Sequence, residues 1–106
     1  MSDAYKDHLG RPIIAVTGMG VITSLGQGLQ DNWAALTSGT SGIHKITRFP
    51  TEGLSTKISG TVDFIELPAA NAVERSYAMA RETTLEALAQ AGISGDFNGP
   101  LFLAAP

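Results

Sequence analysis

The chain contains no cysteine. A disulfide, a thiolate nucleophile and a cysteine-ligated zinc are therefore excluded within its 106 residues, and the redox compartment stays open. Charge is scarce as well: 7 Lys and Arg against 10 Asp and Glu make up 16% of the chain and leave a net charge of −3. That balance lacks the basic footprint a nucleic-acid partner demands, and no block of like charge forms an interaction tail. So little solvating surface suits a segment that is largely buried in a bigger fold or an oligomer. No apolar run approaches the roughly 20 residues of a membrane span. The opening MSDAYKDHLGRP is polar, with mixed charge, and is unlike a secretory signal, so a cytoplasmic location is expected.

Imidazoles are nearly missing too. His8 and His44 are the two histidines, far apart in sequence and without an acidic cluster at metal-ligand spacing, so no metal site is expected. His8 belongs to a polar leader and His44 to a loop, and both read as surface residues. No lysine occurs between Lys6 and Lys45, which removes the phosphate loop G-x-x-x-x-G-K-[ST] from the stretch TGMGVITSLGQG, residues 17–28. The dinucleotide fingerprint G-x-G-x-x-G fails there as well, because Thr23 stands at the sixth position. No cofactor is called for. Gly18, Gly20, Gly26 and Gly28 are read instead as sources of positive φ and of close backbone approach.

No G-x-S-x-G elbow is present. Glu82 and Glu86 lie four apart on one helix face and read as a solvated rim. Trp33 reads as core.

The chain divides as follows. Residues 1–12 are expected to be a mobile leader. Ile13–Thr17 and Leu101–Ala105 are continuous apolar runs of buried-strand type. Leu29, Trp33 and Leu36 form one stripe of a helix that Gly39 ends. Residues 37–42, and on through Phe49, read as loop, and Lys57–Val62 as an exposed or edge strand. Asn71 and Glu74 have capping-box spacing. They open a helix with Tyr77, Ala80, Thr84, Leu88 and Ala91 on one face, and Gly92 closes it. Its alanines suit close packing on several sides. A strand, a helix and a second strand imply a parallel crossover. Two or three strands do not complete a sheet covered on both faces, so the sequence reads as the opening of a larger domain.

Taken together, Val16-Thr17-Gly18-Met19-Gly20, Thr23-Ser24-Leu25-Gly26, Trp33, Ser41-Gly42-Ile43 and Arg48-Phe49 resemble, in order and spacing, the opening of the β-ketoacyl-acyl-carrier-protein synthases. The stretch EALAQAGI, residues 86–93, is similar to that family's next long helix. The resemblance covers residues 13–105. It implies an α/β fold, the N-terminal portion of a thiolase-like α/β/α/β/α five-layer architecture, with residues 13–106 opening the first of two similar halves. It implies decarboxylative Claisen condensation in fatty-acid or polyketide synthesis, with the catalytic cysteine and two histidines beyond Pro106 and no catalytic residue here. An acyl-carrier protein and the remainder of the synthase chain are the implied partners, in a homodimer or heterodimer. Arg75 matches the place of a carrier-docking arginine, although Asn71 and Ala72 stand where the family often has basic residues. Ala105 and Pro106 fall beside the implied acyl pocket, where FLAAP departs from the usual glycine-containing sequence. Two other readings stay open: a non-catalytic subunit of the chain-length-factor kind, and an independent small binding domain.

Overall fold

The computed structural model describes residues 5–64 and 71–104. Among the described residues there are two helices and two short antiparallel pairs: β1 (Ile22–Thr23), β2 (Gly26–Gln27), α1 (Leu29–Ser38), β3 (His44–Lys45), β4 (Ile58–Ser59) and α2 (Ala72–Gln90). β1 pairs with β2 in the register Ile22↔Gln27 and Thr23↔Gly26, and β3 with β4 as His44↔Ser59 and Lys45↔Ile58.

The helix boundaries follow from the caps. Asn71 accepts the Glu74 N–H at 2.9 Å and opens α2 as its spacing predicts. Both helices end in a left-handed glycine. Beyond α2, Gly92 has φ 75°, with Gly92 N–H donating to Ala89 O and Ile93 N–H to Leu88 O. Beyond α1, Gly39 has φ 71°, with Gly39 N–H donating to Leu36 O and Thr40 N–H to Ala35 O. These paired bonds satisfy carbonyls that a helix end otherwise leaves open. The expected leader contains a turn. Asp7 accepts the N–H groups of Leu9 and Arg11 and the Arg11 Nε–H, and Ile13 N–H closes onto Tyr5 O.

Hardly any core forms. Val62 is the one buried apolar side chain among the described residues, at 8% exposure, and no residue of α2 is buried. The accessible surface is 8537 Å², half as much again as the roughly 5,700 Å² of a self-contained domain of this mass. The Cα radius of gyration is 18.5 Å, against about 13 Å for a compact chain of this length.

Three expectations are corrected by this. Ile13–Thr17 and the described part of Leu101–Ala105 form no strands, parallel or otherwise: Ile14 is 90% and Phe102 92% exposed. Such runs need neighbouring strands for their amides and cover for both faces, and the described residues supply neither. The Leu29–Trp33–Leu36 stripe does not enter a core; Trp33 is 69% exposed. Nor is α2 covered on several sides, since a single loop packs along it among the described residues and none of its residues is buried. The edge strand within Lys57–Val62 is present as β4, whereas its partner β3 falls in a stretch whose sequence reads as loop. The structure is a small α/β arrangement.

Candidate functional site

Residues 17–28 lie along α2, and the contacts explain their glycines. A Cβ on Gly18 would collide with the backbone carbonyl oxygen of Ala87, and one on Gly20 with that of Thr83. The spacing matches: an extended chain advances about 6.6 Å in two residues, close to the roughly 6 Å that a helix rises in four. G-x-G therefore fits successive turns of one helix face. Neither glycine has a positive φ; among these four glycines Gly28 alone does, at 89°. Close approach is their common role, and positive φ is confined to the entry of α1.

α2 also supplies acceptors for the loop's amides. Met19 N–H donates to Gln90 Oε1 at 2.7 Å, Val21 N–H to Glu86 Oε2 at 2.9 Å, and Leu29 N–H to Glu86 Oε1 at 2.8 Å. The expectation of a solvated rim at Glu86 is thereby corrected: both carboxylate oxygens are engaged with backbone. Glu82, one turn earlier, pairs with Arg81 at 3.3 Å. A phosphate loop presents its amides to a ligand; here the Met19 and Val21 amides are occupied from within the chain, against a nucleotide role.

Asn32, at 5% exposure, is the buried polar residue of the junction. Its Nδ2 donates to Gly26 O at 2.9 Å and to Gly28 O at 2.8 Å, while its Oδ1 accepts the Thr23 hydroxyl. Thr23 Oγ1 accepts Leu25 N–H at 3.0 Å. These bonds hold the Ser24–Leu25 turn, which adopts no positive φ although two-residue hairpin turns favour it. Ser24 then fits against Gly42 and Gly60, where a Cβ on Gly42 would meet its Oγ. The S-G-I loop and Gly60, just beyond β4, are thus fitted to the T-x-L-G step.

Beside this junction an apolar cleft of about 1450 Å³ runs between the loop, α1 and α2, lined among others by Val16, Trp33, Leu36, Leu88, Phe97 and Leu101. The exposed helix stripe and parts of both apolar runs face it.

A second polar group sits on the β3–β4 pair. His44 Nε2 lies 2.6 Å from Thr61 Oγ1 and 3.1 Å from Asp63 Oδ2, its Nδ1 lies 3.2 Å from Gly42 O, and Arg48 Nε is 3.7 Å from Asp63 Oδ1. The Thr61 hydroxyl donating to Asp63, then the His44 ring, hold the Asp63 carboxyl below the usual carboxylate range. His44 is a surface residue, as expected, with these partners. His8 is exposed. No group of three metal-ligating side chains occurs among the described residues. No helix among them is long and apolar enough to cross a membrane.

Arg75 stands in the first turn of α2. It does not simply face outward: it is half-buried, and its Nη2 is shut from solvent with no hydrogen-bond partner among the described residues. Ala105 and Pro106 lie outside the described residues. Asn32, Gln90 and the role of Glu86 do not stand out in the sequence alone. The available signal was the Glu86/Gln90 spacing beside the small residues Thr83, Ala87 and Ala91, a helix face able to receive a backbone.

A family model described as "Beta-ketoacyl synthase, N-terminal domain" matches residues 12–100. The 3-oxoacyl-[acyl-carrier-protein] synthase 2 of Coxiella burnetii is 41% identical over 49 residues, 46% of this chain and 12% of that protein. Its namesake from Synechocystis is 40% identical over 55 residues, 52% of this chain and 13% of that protein. The tetracenomycin polyketide synthase ketoacyl synthase beta subunit of Streptomyces glaucescens is 39% identical over 49 residues, 46% of this chain and 12% of that protein. The matched stretches thus span about an eighth of these relatives. No solved structure matches the chain significantly.

Proposed function

We propose a function from one premise: this chain belongs to the family of β-ketoacyl synthase N-terminal domains. The protein that carries it is a 3-oxoacyl-[acyl-carrier-protein] synthase, an acyltransferase of fatty-acid or polyketide synthesis. The observation that carries this reading is the match from residue 12 to residue 100. Residues 13–106 open the N-terminal half of a thiolase-like five-layer domain, and the exposed apolar runs and the cleft beside α1 are surfaces that such a domain covers.

The reaction is a decarboxylative Claisen condensation. A cysteine thiolate attacks an acyl thioester and takes the acyl group, releasing the carrier thiol. Malonyl-carrier loses carbon dioxide, and the resulting carbanion attacks the enzyme-bound thioester and expels the thiolate. Two histidines stabilise the oxyanion that develops. These 106 residues hold no cysteine, so the nucleophile comes from elsewhere in the protein and the role of this chain is architectural. The acyl-carrier protein is the partner, the assembly is a homodimer or heterodimer, and the location is the cytoplasm. Arg75 is the carrier contact in this chain, and Ala105 and Pro106 border the acyl pocket.

The test is condensation of malonyl-carrier with an acyl-carrier donor by the full-length protein and by the 106-residue chain. Turnover by the first and none by the second is expected. Turnover by the short chain overturns the reading, and an inactive full-length protein without the cysteine favours the chain-length-factor kind of subunit. Arg75→Glu in the full-length protein is expected to weaken carrier binding about tenfold or more, with acylation by a small carrier-free thioester unchanged. Equal loss of both activities would make Arg75 a structural residue.

A further inference from the structure

The entry of α1 lacks the side chain that ordinarily caps a helix. Its N-cap is Gly28, at φ 89°, with no side-chain cap bond, where Ser, Thr, Asp or Asn would accept a first-turn amide. A Cβ at Gly28 would stand 3.2 Å from Glu86 Oε1. Position 28 is therefore held to glycine by its conformation, and the carboxylate of a different helix approaches over it. Glu86 Oε1 accepts Leu29 N–H, the first amide of α1, and Oε2 accepts Val21 N–H from the glycine turn. Gly28 N–H donates to Val21 O at 2.9 Å, so both ends of this turn meet at one carboxylate. A negative charge there is also favoured by the helix dipole.

We infer that Glu86 is a positioning residue which locks the glycine turn and the start of α1 onto α2, capping α1 in place of the side chain that Gly28 lacks. The inference rests on this geometry and stands apart from the condensation reaction. Both oxygens act as acceptors. Glutamine keeps the size but offers one acceptor, and its NH₂ faces an N–H with which it has no bond to make. Gln90 holds Met19 by a separate contact, so its loss is confined to that amide.

The experiment is residue-resolved amide hydrogen exchange on the full-length protein and its E86Q, E86A and Q90A variants, with the central amides of α2 as reference for global opening. E86Q is expected to speed exchange at one of Val21 and Leu29, and E86A at both, by about tenfold to a hundredfold. Q90A is expected to act on Met19 and leave those two amides unchanged. Wild-type rates at both Val21 and Leu29 in E86Q overturn the inference. So does a rise shared equally by the α2 reference, which would mean general destabilisation. If E86A does not fold, E86Q decides.

Discussion

Two neighbouring stretches of this chain meet opposite fates. Residues 13–16 are an unbroken apolar run, yet they form no strand and lie exposed, with Ile14 and Val16 turned largely to solvent. Residues 17–28, diluted by glycine, are fixed against two helices by bonds to Glu86, Gln90 and Asn32. The difference lies in what each requires. An apolar strand gains by losing contact with water over both faces and by sharing its amides with neighbouring strands, and both need many partners at once. A glycine turn needs a smooth helix face and a few acceptors at the right spacing, and α2 provides them. Apolar content alone thus does not show which part of a segment is held in place by the chain itself. The polar fittings of residues 17–28 are made within the chain, whereas the apolar surfaces are complete only when covered.

The sharpest way to break this contrast is to fill a glycine. Gly20→Ala puts a methyl group into the Thr83 carbonyl, and backbone cannot swing aside as a flexible side chain does. A loss of about 3 kcal/mol is expected in the full-length protein, measured as a shift in denaturant midpoint. Gly39→Ala serves as a comparison, because nothing lies within 4 Å of its added Cβ and its cost is conformational, about 1 kcal/mol. Equal effects would mean that close approach is not the reason for glycine at position 20.

A smaller loss is expected from Asn32→Ala, which strips the turn of two amide bonds and leaves the Gly26 and Gly28 carbonyls and the Thr23 hydroxyl without this partner. About 2 kcal/mol is expected. Asn32→Asp is informative beside it: the carboxylate still accepts from Thr23 but presents oxygen to two carbonyls. It is expected to be at least as damaging as alanine, and a mild effect would show that the carbonyls do not depend on Asn32.

How much of this was legible in the sequence follows the same division. Helix ends were legible, because Asn71, Gly39 and Gly92 carry their conformational signals locally. The family was legible from the ordered motifs between Val16 and Phe49. The strand character of Ile13–Thr17 was read from composition, which reports what a segment suits and not whether its neighbours are present. Asn32 was not legible: it lies beside the apolar stripe of α1, and its three partners become adjacent only once the hairpin has closed. Helical spacing puts Glu86 on one face with Glu82 and says no more; the loop that claims Glu86 comes from 57 to 65 residues away.

The smallest effect belongs to the polar group on the β3–β4 pair, which sharpens the contrast from the exposed side. Asp63 faces the Thr61 hydroxyl, His44 and Arg48, and its carboxyl titrates below its ordinary value of 3.8. A carboxyl whose folded value is depressed stabilises the fold above its unfolded value, and that contribution is lost as pH falls through the folded value. Stability owed to Asp63 is therefore expected to be flat from neutral pH to about pH 5, and to decline once pH drops below 3.8. Many carboxylates titrate there, so the quantity to measure is the difference between wild type and Asp63→Asn in urea midpoint across that range. The difference is expected to be small at neutral pH, because the pair is solvent-exposed and screened, and to shrink toward zero in acid. If the gap instead persists at full size well below pH 3.8, the charged carboxylate is not what the threonine and histidine stabilise.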